Sequence, residues 1–421
     1  MTMKHERGLA AAGALCLTLS ALVPQAPALG QAPEAPVARV APPFRVLAAQ
    51  VEGAAPTLEI GSAEVRAAQG RALQAGARPN PTVRVEVENF LGTRPYGGFG
   101  AAETTVAGEL PLELGGKRAA RVAAARAEVA AAEARAGRGR TDYLRDLAIA
   151  YGEAEAAQAK ERLAVEHLRL AHSDAQTARI LVENGREAPL RAVQADSATA
   201  AAIAEVEEAV AVRAGALGRL SALAGSAEGY TAVAGGLLDG PEELRLPGRG
   251  AQAAIAVATA ERDALAAKVR SERVRRQPDL NVGVGLRRFE QEGAFAAIAG
   301  VSATIPLFDR NRGNVAAARA ELSAAEARLR QASLSAQADR RSTTAQAEAA
   351  ESRVEAALAG ERASAEAYRL ARIGYDSGRI AMAEVLTTRT ALVEARERLV
   401  DARLARVRAE AELARAQGAI Q

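Results

Sequence analysis

Few residues in this chain have the type and spacing that chemistry requires. His167 and His172 lie five apart, off the i,i+4 spacing that brings two ligands together on one helix. Met382 is the only methionine beyond the first few residues, so a thioether copper site cannot form. Gly283-Val284-Gly285 is a fragment of a dinucleotide fingerprint without its third glycine or its strand-to-helix setting. Gly115-Gly116-Lys117 resembles the end of a phosphate loop. However, Arg118 stands where Ser or Thr is needed, and Pro111 stands where the first glycine is needed. No Ser/His/Asp set or carboxylate pair stands out from the charged background. The residues predict no enzyme, no cofactor and no bound metal.

The elements that would have to position a site are unusual. Leu112 to Leu181 runs about 70 residues without proline, and as one helix would be roughly 105 Å long. Helices of ordinary domains are far shorter. The stretch also returns. Val122-Ala123-Ala124-Ala125-Arg126-Ala127-Glu128 recurs 193 residues later as Val315-Ala316-Ala317-Ala318-Arg319-Ala320-Glu321. Gly185-Arg186 recurs as Gly378-Arg379, and Gly225 as Gly418, at the same offset. The long helix and the helix after it are therefore duplicated.

The chain has 421 residues, 49% of them hydrophobic, with only 3% aromatic and no Trp. Little aromatic content argues against thick cores, and abundant Ala suits closely packed helices. The formal net charge of +3 comes from Lys and Arg interspersed with Glu, which reads as solvated helix faces rather than a nucleic-acid footprint. Residues 1–30 read as a secretory signal. Lys4 and Arg7 are basic, Leu9 to Val23 is apolar, and Ala28-Leu29-Gly30 is a small-x-small cleavage pattern. Cys16, the only cysteine, lies in the apolar run behind Leu15, which opposes lipidation, and its removal excludes disulfides. Residues 31–43 read as a flexible proline-rich leader.

The first repeat is expected over 44–225. A helix ending at Arg78-Pro79-Asn80-Pro81 precedes a strand at about 82–91, in which Val83, Val85 and Val87 alternate with Arg84, Glu86 and Glu88. A second strand at about 103–112 leads into the long helix at about 112–181. Glu183-Asn184-Gly185 stops that helix, and Pro189 opens the next. Residues 226–250 read as a loop-like inter-repeat linker or equatorial segment. The second repeat, 251–421, has strands at about 279–288 and 295–307 and a long helix at about 309–375. Leu280, Val282, Val284 and Leu286 alternate with Asn281, Gly283, Gly285 and Arg287. In the last helix Val385, Leu392 and Leu399 fall on one seven-residue series, and Leu386, Val393, Val400 and Val407 on the next.

Strands of this length and alternation suit a tilted membrane barrel. A sheet in lipid must close, because an open edge leaves backbone groups unpaired. Four strands cannot close, whereas four from each of three chains can. The predicted class is mainly α with a transmembrane β-barrel portion. It is built from a duplicated helix-strand-strand-long helix-helix unit. Val83, Val85, Val87, Leu280, Val282, Val284 and Leu286 then face lipid, and the charged residues between them face the lumen.

Leu110-Pro111-Leu112-Glu113-Leu114-Gly115-Gly116-Lys117-Arg118, following Arg78-Pro79-Asn80-Pro81, resembles the outer-membrane efflux proteins of the TolC type, and within them the CzcC-like, heavy-metal branch. Ile305-Pro306-Leu307-Phe308-Asp309-Arg310-Asn311-Arg312-Gly313 is the matching segment of the second half. Ile373-Gly374-Tyr375-Asp376-Ser377-Gly378-Arg379 with Glu384-Val385-Leu386 resembles the family's second periplasmic turn. The resemblance implies a homotrimer with a 12-stranded outer-membrane barrel on a periplasmic helical tunnel. It also implies a periplasmic adaptor and an inner-membrane pump, usually of the resistance–nodulation–division kind. The chain would then be a passive exit duct for small molecules or metal cations. An outer-membrane component of type I protein secretion and a periplasmic coiled-coil adaptor are the alternatives. The tip that meets the adaptor is expected at Asn184, Gly185, Arg186, Ser377, Gly378 and Arg379. The family often has an acidic pair past the second turn. Here Glu384 fills the first place, as a candidate aperture residue, and Thr387 the second.

Overall fold

A computed structural model describes residues 39–417, apart from Glu52, Ala54, Pro95 and residues 241–249. The predicted signal segment lies outside the described residues. In chain order the elements are β1 (Val40–Ala41), α1 (Phe44–Val51), α2 (Pro56–Ala75), β2 (Thr82–Glu88), β3 (Glu103–Leu112), α3 (Lys117–Glu183), α4 (Pro189–Leu223), β4 (Ala232–Val233), α5 (Gly250–Val274), β5 (Asp279–Phe289), β6 (Ala294–Thr304), α6 (Arg312–Asp376) and α7 (Met382–Gln417).

The long helices begin later than Leu112 and Asp309. Gly115 and Gly116 have φ of 68° and 75°, and Asn311 has φ of 53°. These left-handed residues turn the chain from strand to helix, a conformation open to Gly and tolerated by Asn. Arg121 fixes the bend in the first repeat. Its Nε donates to the Ala75 carbonyl at 2.8 Å, its Nη2 to Ala77 at 3.0 Å, and its guanidinium forks onto Glu113. The second repeat does the same with Asn311, whose Nδ2 donates to the backbone carbonyl of Glu272 at 2.9 Å. In both halves the start of the long helix reads the end of the preceding short helix.

Prolines at the first helical position start α2 and α4, where a missing N–H costs nothing. Both long helices end in the same Schellman cap. Arg186 N–H donates to Leu181 and Gly185 N–H to Val182, both at 2.9 Å. Arg379 N–H donates to Gly374 and Gly378 N–H to Tyr375, both at 2.8 Å. Gly185 and Gly378 carry the left-handed φ, 70° and 72°.

Toward the strands α3 packs against α2 and α5; toward the caps it packs against α4 and α7, and α6 packs against α5 and α7. With 20 and 35 residues, α2 and α4 together span ~83 Å, against ~100 Å for the 67 residues of α3. Two short helices thus back one long one.

Large buried side chains gather in a belt part-way along α3. Tyr143, Leu144, Leu147 and Tyr151 pack there with Phe44, Leu47, Val233, Leu237, Leu238 and Val407. Two further segments join the belt. Val40–Ala41 pairs in parallel with Ala232–Val233. The part of the linker just after Gly225 is clamped onto α3. Glu155, buried, accepts from the N–H groups of Gly236, Leu237 and Leu238 at 2.8, 3.0 and 3.3 Å. Gln158 accepts from Val233 N–H at 3.1 Å. Apolar residues on short non-repeated segments need a surface to bury on, and α3 supplies it.

Candidate functional site

Four strands form one antiparallel sheet in the order β2-β3-β5-β6, so the two repeats join through β3 and β5. The register sorts most side chains, because residues directly opposite share a face; near the strand ends Arg288 falls on the apolar face and Phe289 on the other. Val85 lies opposite Val106, Val106 opposite Leu286, and Leu286 opposite Ala297. Val83, Val87, Leu280, Val282 and Val284 share that face, with Leu110, Leu112, Ala299 and Val301. Most of it is open: Val83 is 76% exposed and Val284 66%.

The other face is charged. Arg287 is its hub, donating to Thr105 Oγ1 and Glu103 at 2.9 Å each and pairing with Glu88 at 2.8 Å. Arg84 stands 3.5 Å from Glu109. Gly283 and Gly285 lie on this face too. A Cβ at Gly285 would come within 2.7 Å of the Val106 carbonyl, which explains the glycine. Leu286 and Arg287, adjacent in sequence, therefore serve opposite environments.

The sheet has two unpaired edges, β2 and β6. An alternating strand edge with one apolar face is a pairing surface. Among the described residues no helix is long and apolar enough to cross a membrane. Below the sheet, Ile305, Leu307 and Phe308 are exposed, Phe308 completely.

At the opposite end of the helices, Asn184, Gly185, Arg186, Ser377, Gly378 and Arg379 occupy the two caps, and all are exposed. Asn184 Nδ2 donates to the Ile180 carbonyl at 2.6 Å and Ser377 Oγ to Ile373 at 2.9 Å. These two side chains and both glycines thus have local capping work. Arg186 and Arg379 take part in the caps through their backbone N–H groups. Glu384 is exposed on the first turn of α7, where a carboxylate suits the helix dipole. Thr387 beside it donates to the Ala383 carbonyl at 3.0 Å.

The structure gives the histidines ordinary roles. His167 Nδ1 sits 2.9 Å from Glu205, and His172 is exposed. Among the described residues no group of three or more His, Cys, Asp or Glu is placed to hold a metal ion. Glu397 on α7 faces the same region. Burial, then the nearby Glu205, pushes its carboxyl above the ordinary glutamate value.

Sequence reasoning missed a ladder on α7. Arg389, Arg396 and Arg403 are seven apart and interleave with the apolar series Val385, Leu392 and Leu399. Arg389 pairs with Asp174 on α3, Arg396 with Glu166 on α3 and Glu361 on α6, and Arg403 with Asp239 in the linker. The seven-residue spacing of arginines inside an apolar seam was the available signal.

The profile of the family described as "Outer membrane efflux protein" matches residues 47–226 and 250–419. The nickel-cobalt-cadmium resistance protein NccC of Alcaligenes xylosoxydans xylosoxydans is 42% identical over 286 residues, which is 68% of this chain and 65% of that protein. The nickel and cobalt resistance protein CnrC of Cupriavidus metallidurans is 43% identical over 288 residues, 68% of each. The chain thus matches about two thirds of these relatives' length. Among solved structures, the outer membrane protein VceC of Vibrio cholerae superposes with a TM-score of 0.72 at 21% identity, covering 89% of this chain and 96% of that one. CusC gives a TM-score of 0.76 at 19% identity, covering 90% and 92%. Family profile, relatives and fold agree: this chain belongs to the outer membrane efflux protein family.

Proposed function

We propose that three copies of this chain close their sheets into one twelve-stranded barrel in the outer membrane. The observation that carries this reading is the two-faced sheet with two open edges. Because β2, β3, β5 and β6 alternate in direction, β6 runs opposite to β2. Placing β6 of one copy beside β2 of the next continues the antiparallel order and leaves no edge, as lipid requires. The apolar face with Val85, Val284 and Leu286 then meets lipid, and the face with Arg287 and Glu103 lines a wet lumen.

The helices continue the barrel as a periplasmic conduit, and the duct does no chemistry. Transport is driven by an inner-membrane pump, reached through a periplasmic adaptor that meets Arg186 and Arg379. The cargo is a divalent metal cation, supported by the nickel, cobalt and cadmium in the relatives' names. The charge on the polar strand face agrees. Glu86, Glu88, Glu103 and Glu109 outnumber Arg84 and Arg287, which favours cations without trapping them. Glu384, repeated three times about the axis, adds an acidic ring at the periplasmic mouth.

Cysteine pairs test the closure. Val85→Cys is combined in turn with cysteine at Ala297, Ala299 and Val301, and oxidised in intact outer membranes. One register is expected to give covalent trimers. Failure of every pair in protein that still inserts would sink the barrel reading. Val284→Arg is expected to cost about 2–4 kcal/mol if it lies near the bilayer midplane. In planar bilayers Glu384→Gln is expected to weaken cation preference and block by multivalent cations. Unchanged selectivity in intact trimers would leave Glu384 as an ordinary first-turn residue.

A further inference from the structure

The four-stranded sheet carries opposite charge at its two ends. Its connections to the helices, residues 70–81, 113–121, 270–279 and 305–312, hold eleven Lys and Arg against four acids. The whole chain is formally only +3. The other end of the sheet, residues 88–103 and 288–293, holds two arginines against four glutamates.

The four acids of the connections are already engaged. Glu113 pairs with Arg121, Asp279 with Lys117 at 2.6 Å and Glu272 with Arg275 at 3.0 Å. Asp309 accepts the Asn311 N–H at 2.9 Å. Each connection still keeps an exposed arginine with no carboxylate partner among the described residues: Arg78, Arg118, Arg276 and Arg310. These stand four to six residues in sequence from Val83, Leu112, Leu280 and Ile305, apolar residues at the helix end of the sheet. Exposed Leu114, Leu307 and Phe308 lie among them. An arginine beside apolar surface lays its stem along that surface and keeps its head in a polar layer. Its planar guanidinium matches phosphate oxygens in pairs. Turned into a duct, such charges would repel the divalent cations proposed as cargo. Turned outward, they meet lipid phosphates at the edge of the apolar band.

We propose that Arg78, Arg118, Arg276 and Arg310 form a collar that binds the phosphate groups of anionic phospholipids in the periplasmic leaflet. The inference rests on the barrel reading, which sets four such arginines from each of three chains around one ring. The acidic loop end offers no such surface, so the collar also fixes which end of the sheet meets anionic phospholipid.

The test uses the full chain in nanodiscs of mixed phosphatidylcholine and phosphatidylglycerol, with each lipid spin-labelled in turn. Electron paramagnetic resonance reads the fraction of label held at the protein surface. A roughly fivefold preference for phosphatidylglycerol is expected, falling as salt is raised. Arg78→Gln, Arg276→Gln and Arg310→Gln together should abolish that preference. Arg330→Gln, Arg341→Gln and Arg353→Gln, which remove the same charge from exposed positions on α6, should leave it unchanged. If the triple variant does not insert, the three single variants decide, each lowering the preference in part. Gel mobility of unheated samples follows trimer formation separately. Inserted native trimers without the preference, or an equal loss in the α6 control, would overturn the collar and leave the barrel reading standing. A native chain that forms no inserted trimer would overturn both. Altered cation selectivity of the triple variant in planar bilayers, with its lipid preference unchanged, would put the arginines inside the duct and overturn the proposal.

Discussion

Helices α3 and α6 come from one duplicated unit and share their length and C-terminal cap, yet they are packed differently. On α3, Tyr143, Leu144, Leu147, Tyr151 and Glu155 face the belt. The residues 193 later on α6 are Ala336, Gln337, Arg340, Thr344 and Glu348. On α6 burial falls mostly to alanines such as Ala318, Ala325 and Ala350, with Thr343 and Val354. The belt exists because two segments outside the duplicated strands and long helices, Arg39 to Val51 and the linker after Gly225, lie against α3. Duplication supplies two equal walls, and the unrepeated segments choose one of them. The other keeps small side chains that allow a neighbouring helix to approach closely.

The largest expected contrast is Leu147→Ala against Arg340→Ala. The first removes a fully buried side chain and should cost about 2–5 kcal/mol. The second touches an exposed one and should stay within about 0.5 kcal/mol. Denaturant unfolding followed by helical circular dichroism measures both. Equal costs would mean that the belt does not distinguish the helices.

The clamp gives the next contrast. Glu155→Ala strands three backbone N–H groups and should cost about 1–3 kcal/mol, whereas Glu348→Ala should be near neutral. Protease cleavage within the linker should also appear with Glu155→Ala and not with Glu348→Ala. Intact linkers in both variants would reassign the clamp to the apolar contacts.

The caps should behave alike. Gly185→Ala and Gly378→Ala each force a side chain into the left-handed region, at about 1–2 kcal/mol. Thermal shifts of equal sign and similar size are expected. A large effect at one glycine only would mean that it does more than end a helix.

The smallest effect concerns pH. Burial and Glu205 hold the Glu397 carboxyl above its ordinary value. Below the ordinary glutamate range both folded and unfolded states are protonated, and no penalty exists. As pH rises through that range to the raised value, ionisation costs the folded state more. Glu397→Gln should therefore raise the melting temperature at neutral pH, and the gain should vanish in acid. Glu113 works with the opposite sign. Its hydrogen bond from Arg121 lowers its value, so its contribution is present above the ordinary range and lost as pH falls through the lowered one. A gain from Glu397→Gln that persists in acid would point to packing instead of charge.

Much of this was legible in the chain itself because the signals are local. Valines alternating with charges specify a two-faced strand, and Asn184-Gly185 and Ser377-Gly378 specify helix stops. The repeat offset ties one helix pair to the other. The belt was not legible, since Phe44, Tyr151 and Val233 meet only through tertiary packing. Nor was the pairing of Asp174 with Arg389, which lie 215 residues apart on a charged background where any acid is a plausible partner. The late start of α3 was missed because Gly115 and Gly116 read equally well as part of a helix or as a bend.

The opposed directions of the two sheet edges have a genetic consequence. In the proposed ring each joint uses β6 of one chain and β2 of the next, a head-to-tail contact that is complete only when the circle closes. A chain spoiled at β6 alone, by Ala299→Pro for instance, can still offer a sound β2 to a neighbour. It would therefore enter rings and break them. In a cell making equal amounts of sound and spoiled chains, about one ring in eight would escape. Such an allele would be dominant, and flow through the proposed duct would collapse although half the chains were intact.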